Sequence, residues 1–179
     1  MGLISYALRR APASLNFVSH PKVKTLRTTA ATLPRVAVAL SVFLFVASLT
    51  RNSFCVPGGC NLWPAWGVLL MGWFEPVAVD KVGPFVALAW YANPCVVAAW
   101  VFVFKSKRRW AAAFSTIALI LALGFLLGKS VLVSESGFPS EITGYGSGYW
   151  IWISSIAVAL GAAILCQSAI RNSPGATAR

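Results

Sequence analysis

Carboxylates are nearly missing from this chain: Glu75, Asp80, Glu135 and Glu141 stand against fifteen Lys and Arg in 179 residues. Histidine is scarcer still, with His20 alone, and it falls in a basic arm where an exposed side chain is expected. Acid–base catalysis by a carboxylate pair needs an assisting base or a nucleophile nearby, and neither accompanies Glu75 with Asp80 or Glu135 with Glu141. These acids read as solvated loop charges, with a cation-attracting mouth as the alternative. Cysteine is limited to four positions and His to one, which leaves no spacing suited to a metal and no cofactor motif. Gly144, Gly146 and Gly148 imitate a phosphate loop, but no Lys-Ser/Thr pair follows them, so they are expected to permit a tight turn.

Charge of either sign is sparse, at 11% of residues against about 25% in soluble domains. Hydrophobic residues make up 58%. Such a chain cannot hide its apolar surface in a core of its own, and membrane integration is expected.

The fifteen cations occupy six places. Three are acid-free: Arg9 to Arg35 with six, Lys105 to Arg109 with four, and Arg171 to Arg179 with two. The other three hold Arg51, Lys81 and Lys129, and the four acids lie near them. Orientation in a bilayer follows the Lys/Arg bias of short loops, so the first set is expected in the cytoplasm and the second outside. Twelve cations without an acid then face inward, while three cations and four acids face outward. The net charge of +11 therefore reads as topology. Its expected partners are anionic inner-leaflet lipids, each nearby cation contributing about 1 kcal/mol, and no nucleic acid. A nucleic-acid face would interleave cations with stacking aromatics, and here the aromatics sit in apolar spans.

Four spans follow. The first covers about 33–54, with Arg35 and Arg51 reaching toward the headgroups. The second is the uncharged stretch 82–104, about 34 Å of helix at ~1.5 Å per residue. Asn93-Pro94 lies near its centre and predicts a kink, because proline removes one backbone bond and crowds the carbonyl four residues back. The third covers 110–128 and must lie antiparallel to the second, because a five-residue basic turn joins them. The fourth runs over about 149–170. Residues 1–32 read as a loosely ordered basic cytoplasmic arm, 33–170 as the membrane domain and 171–179 as a fraying cytoplasmic tail. The arm's composition also fits a mitochondrial transit peptide, which keeps the mitochondrial inner membrane as the alternative to a bacterial inner membrane.

The run from Trp63 to Phe74 is uncharged but twelve residues long, about 18 Å as a helix and too short to cross. A crossing would also put Lys105 to Arg109 outside. It is expected to be a re-entrant or interfacial helix, anchored by Trp63, Trp66 and Trp73, with Tyr149 and Trp150 anchoring the fourth span.

Cys55 and Cys60, on the expected outer side, read as a disulfide turned by Pro57, Gly58 and Gly59. Cys95 and Cys166 read as inert apolar fillers. Asn93 is a strongly polar group in mid-span. It must bond carbonyls freed by Pro94, bridge to a neighbouring helix, or contact a ligand or ion in a vestibule. Gly124 and Gly128, with Ala157 and Gly161, give the small-residue spacing that lets the third and fourth spans pack closely, or a homo-oligomer form.

Four spans with an outer cysteine pair resemble, in outline, the disulfide-generating quinone reductases of bacterial inner membranes. This chain lacks their Cys-x-x-Cys spacing and their second outer pair. A fuller match lies in the order Cys-x4-Cys-Asn, Gly-Trp-Phe, Ala-Trp-Tyr-Ala-Asn-Pro at Ala89 to Pro94, a basic turn, then Ile-Thr-Gly-Tyr-Gly-Ser-Gly-Tyr-Trp at Ile142 to Trp150. This order resembles a family of small bacterial four-span membrane proteins of unknown function and covers about Val36 to Ala163. The resemblance implies a bacterial inner membrane and no reaction. The expected architecture is all-α: a four-helix membrane bundle with one additional short helix and both termini cytoplasmic. The expected function is a non-enzymatic accessory or sensing subunit that serves another membrane protein. The alternatives are a small-solute or ion conduit and a thiol oxidoreductase.

Overall fold

The computed structural model describes residues 21–61, 64–73, 79–132 and 138–171. Its helices in chain order are α1 (Pro21–Leu49), α2 (Ala65–Met71), α3 (Val79–Val82), α4 (Pro84–Ala89), α5 (Ala92–Phe104), α6 (Arg108–Gly124) and α7 (Ser147–Arg171). Among the described residues four helical segments are long and apolar enough to cross a membrane: Thr32–Leu49, Pro84–Phe104, Arg108–Leu127 and Ser147–Leu165. His20, Trp63, Glu75, Glu135, most of the basic arm and the tail after Arg171 lie outside the described residues, as does the side chain of Cys166.

α7 is the hub. It packs along α1, α6 and α5, while α5 and α6 pair with each other. α7 runs antiparallel to α1 and α6 and parallel to α5, and α5 and α6 are antiparallel to each other. At one end Gly148 donates its backbone N–H to Asn52 (2.9 Å), and Gly128 at the close of the third helical segment approaches Val86 of α4. At the other end Val38, Val103, Ala111, Ala162 and Ala163 share one buried cluster. The loops carrying Arg51, Lys81 and Lys129 therefore gather at one end, opposite Arg35 and the turn from Lys105 to Arg109. That turn closes tightly. Ser106 adopts φ 56° and donates to Val103 (3.0 Å), and Lys107 donates to Phe102 (2.9 Å), a Schellman pattern with serine where glycine is usual.

The buried stripe of α6 is Ala111, Ser115, Ala118 and Ala122, continuing to Phe125. Small side chains at this spacing let its backbone approach α5 and α7 where a larger residue would hold them apart. The outward faces are apolar: Phe43, Val46, Val97, Ile117 and Ile120 are all exposed.

The fold departs from the expected one in five places. α1 begins at Pro21 and passes through Pro34, so helix extends back into the segment read as a loose arm. It stops at Leu49, and Phe54 lies instead in a strand. The all-α reading omits four short strands: β1 (Phe54–Cys55), β2 (Ser130–Leu132), β3 (Pro139–Glu141) and β4 (Gly144–Tyr145). β1 pairs antiparallel with β4 (Phe54 with Tyr145, Cys55 with Gly144), and β2 pairs with β3. The pairing links the two loops.

The third departure concerns Gly144, Gly146 and Gly148, which form no turn. They lie where the chain slides against residues 51–55, and a Cβ on Gly146 would sit 2.2 Å from the Asn52 carbonyl oxygen. Close backbone approach, rather than bending, is why side chains are missing there. Fourth, the Gly124 and Gly128 pair serves α4: added Cβ atoms would meet Phe85 at 3.5 Å and Val86 at 2.2 Å. A Cβ on Gly161 would meet nothing within 4 Å, so Gly161 takes no part in close packing.

Fifth, Tyr149 is not an interface anchor. It is 3% exposed, and its hydroxyl donates to the Ala122 carbonyl at 2.8 Å, where the α6 ladder tightens into the 3-10 turn Phe125–Leu127. Trp150, 51% exposed, does face outward, as do Trp66 at 56% and Trp73 at 53%.

Candidate functional site

Pro94 decides the local geometry. Without an N–H it leaves the Trp90 carbonyl unclaimed by the regular ladder, and the helix breaks at Trp90–Tyr91 between α4 and α5. Asn93 repairs the gap. Its backbone N–H and its side-chain Nδ2 each donate to the Trp90 oxygen at 3.0 Å. Its Oδ1 accepts from the Trp152 indole N–H of α7, also at 3.0 Å. The Asn93 side chain thus does two of the things its position allows, binding the freed carbonyl and bridging to another helix.

The same break turns Trp90 toward α2, where its indole N–H donates to the Leu69 carbonyl at 2.8 Å. A Cβ on Gly72 would lie 2.6 Å from Trp90 Cδ1, so glycine here lets the end of α2 settle on the indole. The start of α2 is tied to the α1 end: Ala65 donates to the Arg51 carbonyl at 2.9 Å, and Asn52 bridges to Pro64. α2 is seven residues long and buries none of them fully. It rides on the bundle flank and is too short to cross a membrane.

Beneath α2 lies a cavity in which a water-sized guest could place its centre over about 80 Å³. Five rings form much of its wall: Phe54 of β1, Trp90, Phe125, Tyr149 and Trp152. Asn93, Ser48 and Ser53 are among its polar lining residues, and among the described residues no charged side chain lines it. Most of the polar atoms are already engaged, since Ser48 donates to the Phe45 carbonyl at 2.6 Å and both indoles and Tyr149 are bonded as described. Tyr145 closes the outer side of the ring cluster, its centroid 4.9 Å from that of Tyr149 and its hydroxyl donating to Phe125 at 3.2 Å. Burial raises the Tyr145 phenol above its ordinary pKa, which keeps that donor protonated.

A second polar node lies deeper. The Ser41 hydroxyl of α1 donates to the Ser155 carbonyl of α7 at 2.7 Å and accepts from the Trp100 indole of α5 at 2.9 Å. Phe45 meets Trp100 edge-on at 5.5 Å. Sequence reasoning passed over Ser41, Trp90, Trp100 and Ser155, because serine and tryptophan are ordinary in apolar spans. The available signal was the i, i+7 spacing of Ser41 and Ser48 on one face of α1.

Cys55 and Cys60 are joined, with Cα atoms 4.0 Å apart. Gly58 and Gly59, at φ 119° and 134°, make the turn, and Val56 and Gly59 exchange backbone bonds across it. The bridge stiffens β1, which carries Phe54 to the cavity wall. Closing so short a loop contributes about 2 kcal/mol in the chain-entropy account. Cys55→Ser is therefore expected to lower the unfolding midpoint without abolishing the fold, as read by a thermal melt in detergent. Both thiols should resist alkylation until reduced. Cys95 is half-buried in the bundle beside Ala92 and Val96.

Among the described residues no group of three or more His, Cys, Asp or Glu side chains comes together to hold a metal. No protein-family model matches the chain, and comparison with curated proteins and with solved structures finds none that is similar.

Proposed function

We propose that the chain is an integral protein of a bacterial inner membrane and acts as a non-enzymatic accessory or sensing subunit for another membrane protein. The observation that carries the reading is how the interior polar groups are spent. Asn93, Trp90 and Trp152 tie α2, the α4–α5 break and α7 together, while Ser41, Trp100 and Ser155 tie α1, α5 and α7. Hydrogen bonds of this kind fix helix against helix in lipid, where apolar contact supplies little drive. The outward apolar faces suit hydrocarbon, since a water-soluble domain rarely leaves so much contiguous apolar surface open. In this reading the end bearing Lys105 to Arg109 faces the cytoplasm, by the cation bias of its turn.

A reporter fused after Arg109 should remain on the cytoplasmic side, and the protein should resist alkaline extraction from membranes. A partner that copurifies in fixed stoichiometry supports the accessory role. The cavity beside Asn93 favours a second reading, a conduit for small solutes. Flux through protein-bearing liposomes that Asn93→Leu abolishes would establish the conduit and remove the accessory reading. A thiol oxidoreductase would instead show a quinone-dependent redox change at Cys55 and Cys60.

A further inference from the structure

The cavity under α2 has features that select among guests. Among the described residues its wall carries no charge, so an ion or a charged metabolite entering it would shed water without compensation from them. Its rings come from four separate parts of the chain and border a half-open space, so a ring placed there meets aromatic side chains on several sides. A cavity this apolar holds water poorly and is stabilised by an apolar guest. Its hydrogen-bonding capacity is specific. Asn93 Nδ2 has two hydrogens and spends one on the Trp90 carbonyl, and Ser53 adds a hydroxyl at the wall.

We propose that this cavity binds a small, uncharged ring compound that carries one hydrogen-bond acceptor. Its ring lies among Phe54, Trp90, Phe125, Tyr149 and Trp152, and its acceptor takes the second Asn93 amide hydrogen. Ring faces in the wall favour an aromatic or quinonoid body over an aliphatic one by offset and edge-on contacts. α2 covers the site, and because Trp90 holds Leu69, a bound guest stabilises the seating of α2 on the bundle. Such a guest partitions into a bilayer, so the proposal deepens the sensing role and relies on the membrane reading only for the guest's route of arrival.

The test uses the purified full chain in detergent with 4-bromoacetophenone, an uncharged ring whose carbonyl is the acceptor and whose bromine quenches nearby indoles. Saturable quenching is expected. Filling the cavity from inside with Ala89→Phe, or from its rim with Ser53→Phe, should weaken apparent affinity at least about tenfold, equivalent to ~1.4 kcal/mol. A thermal melt identifies a variant that fails to fold, and the two substitutions load different walls, so one folded variant suffices. Bromobenzene, which lacks the acceptor, should bind the native chain more weakly than 4-bromoacetophenone does, and Asn93→Leu should narrow the difference between the two probes. Quenching that rises linearly and is the same in the filled variants means partition into the micelle and overturns the proposal. A third arm reconstitutes the chain with brominated-chain phosphatidylcholine. If those chains quench the cavity indoles and Ala89→Phe relieves it, the occupant is a lipid chain and the ring-compound assignment is wrong. Because binding is read in detergent, its failure leaves the extraction and reporter results for the membrane reading untouched.

Discussion

Replacing Asn93 by leucine should destabilise the bundle by about 1–3 kcal/mol, the range for leaving a buried donor unmatched. The group most affected is the Trp152 N–H, whose acceptor is Asn93 Oδ1 at 3.0 Å. The Trp90 carbonyl suffers less, because the backbone N–H of residue 93 still reaches it at 3.0 Å. Trp152→Phe removes the donor and leaves Oδ1 unmatched instead. Combined, the two substitutions remove both sides of the bond, so the double variant should lose less than the sum of the singles. The coupling expected between interhelical partners in a membrane is about 0.6–1.7 kcal/mol. Unfolding midpoints of the four proteins in one detergent give the cycle. Strict additivity would mean that the indole and the amide do not depend on each other, and the bridge between the α4–α5 break and α7 would then contribute nothing.

What could be read beforehand divides by the kind of signal. The number of long apolar helices and the Asn93-Pro94 break are legible because an apolar run and a missing N–H act locally, whatever the partner. Pro94 frees the carbonyl of Trp90 in any helix, and an amide next to it has an obvious use. The identity of Trp152 as second partner was not legible, since it lies 59 residues away and looks like an ordinary interfacial tryptophan. The strands escaped notice for a similar reason. β1 and β4 have two residues each, too few to show alternation, and their pairing is decided across ninety intervening positions. Its place in an aromatic run points Tyr149 to the membrane surface. Its hydroxyl partner, the Ala122 carbonyl, exists because α6 changes pitch just beyond it.

The glycines supply the sharpest contrast. Gly146 and Gly161 are both glycines beside or within the fourth span, and composition gives no reason to treat them differently. Geometry does. A Cβ at position 146 would lie 2.2 Å from the Asn52 carbonyl oxygen and 2.8 Å from its carbon, both backbone atoms that cannot rotate aside. Gly146→Ala must therefore pry residues 51–55 from β4. It should break the Gly146 N–H bond to Ser53 and the pairing of Phe54 with Tyr145, and withdraw Phe54 from the cavity wall. Overpacking alone costs about 1–3 kcal/mol, and the lost backbone bonds add to it. Gly161→Ala meets open space in mid-helix and should be neutral or stabilise by about 0.5–1 kcal/mol, from the lower helix propensity of glycine. Melting both variants beside the native chain tests the placement of the two loops directly. A Gly146→Ala protein as stable as the native one would mean that the β1–β4 contact does not form as described, and the wall of the ring-lined cavity would lose its support from Phe54.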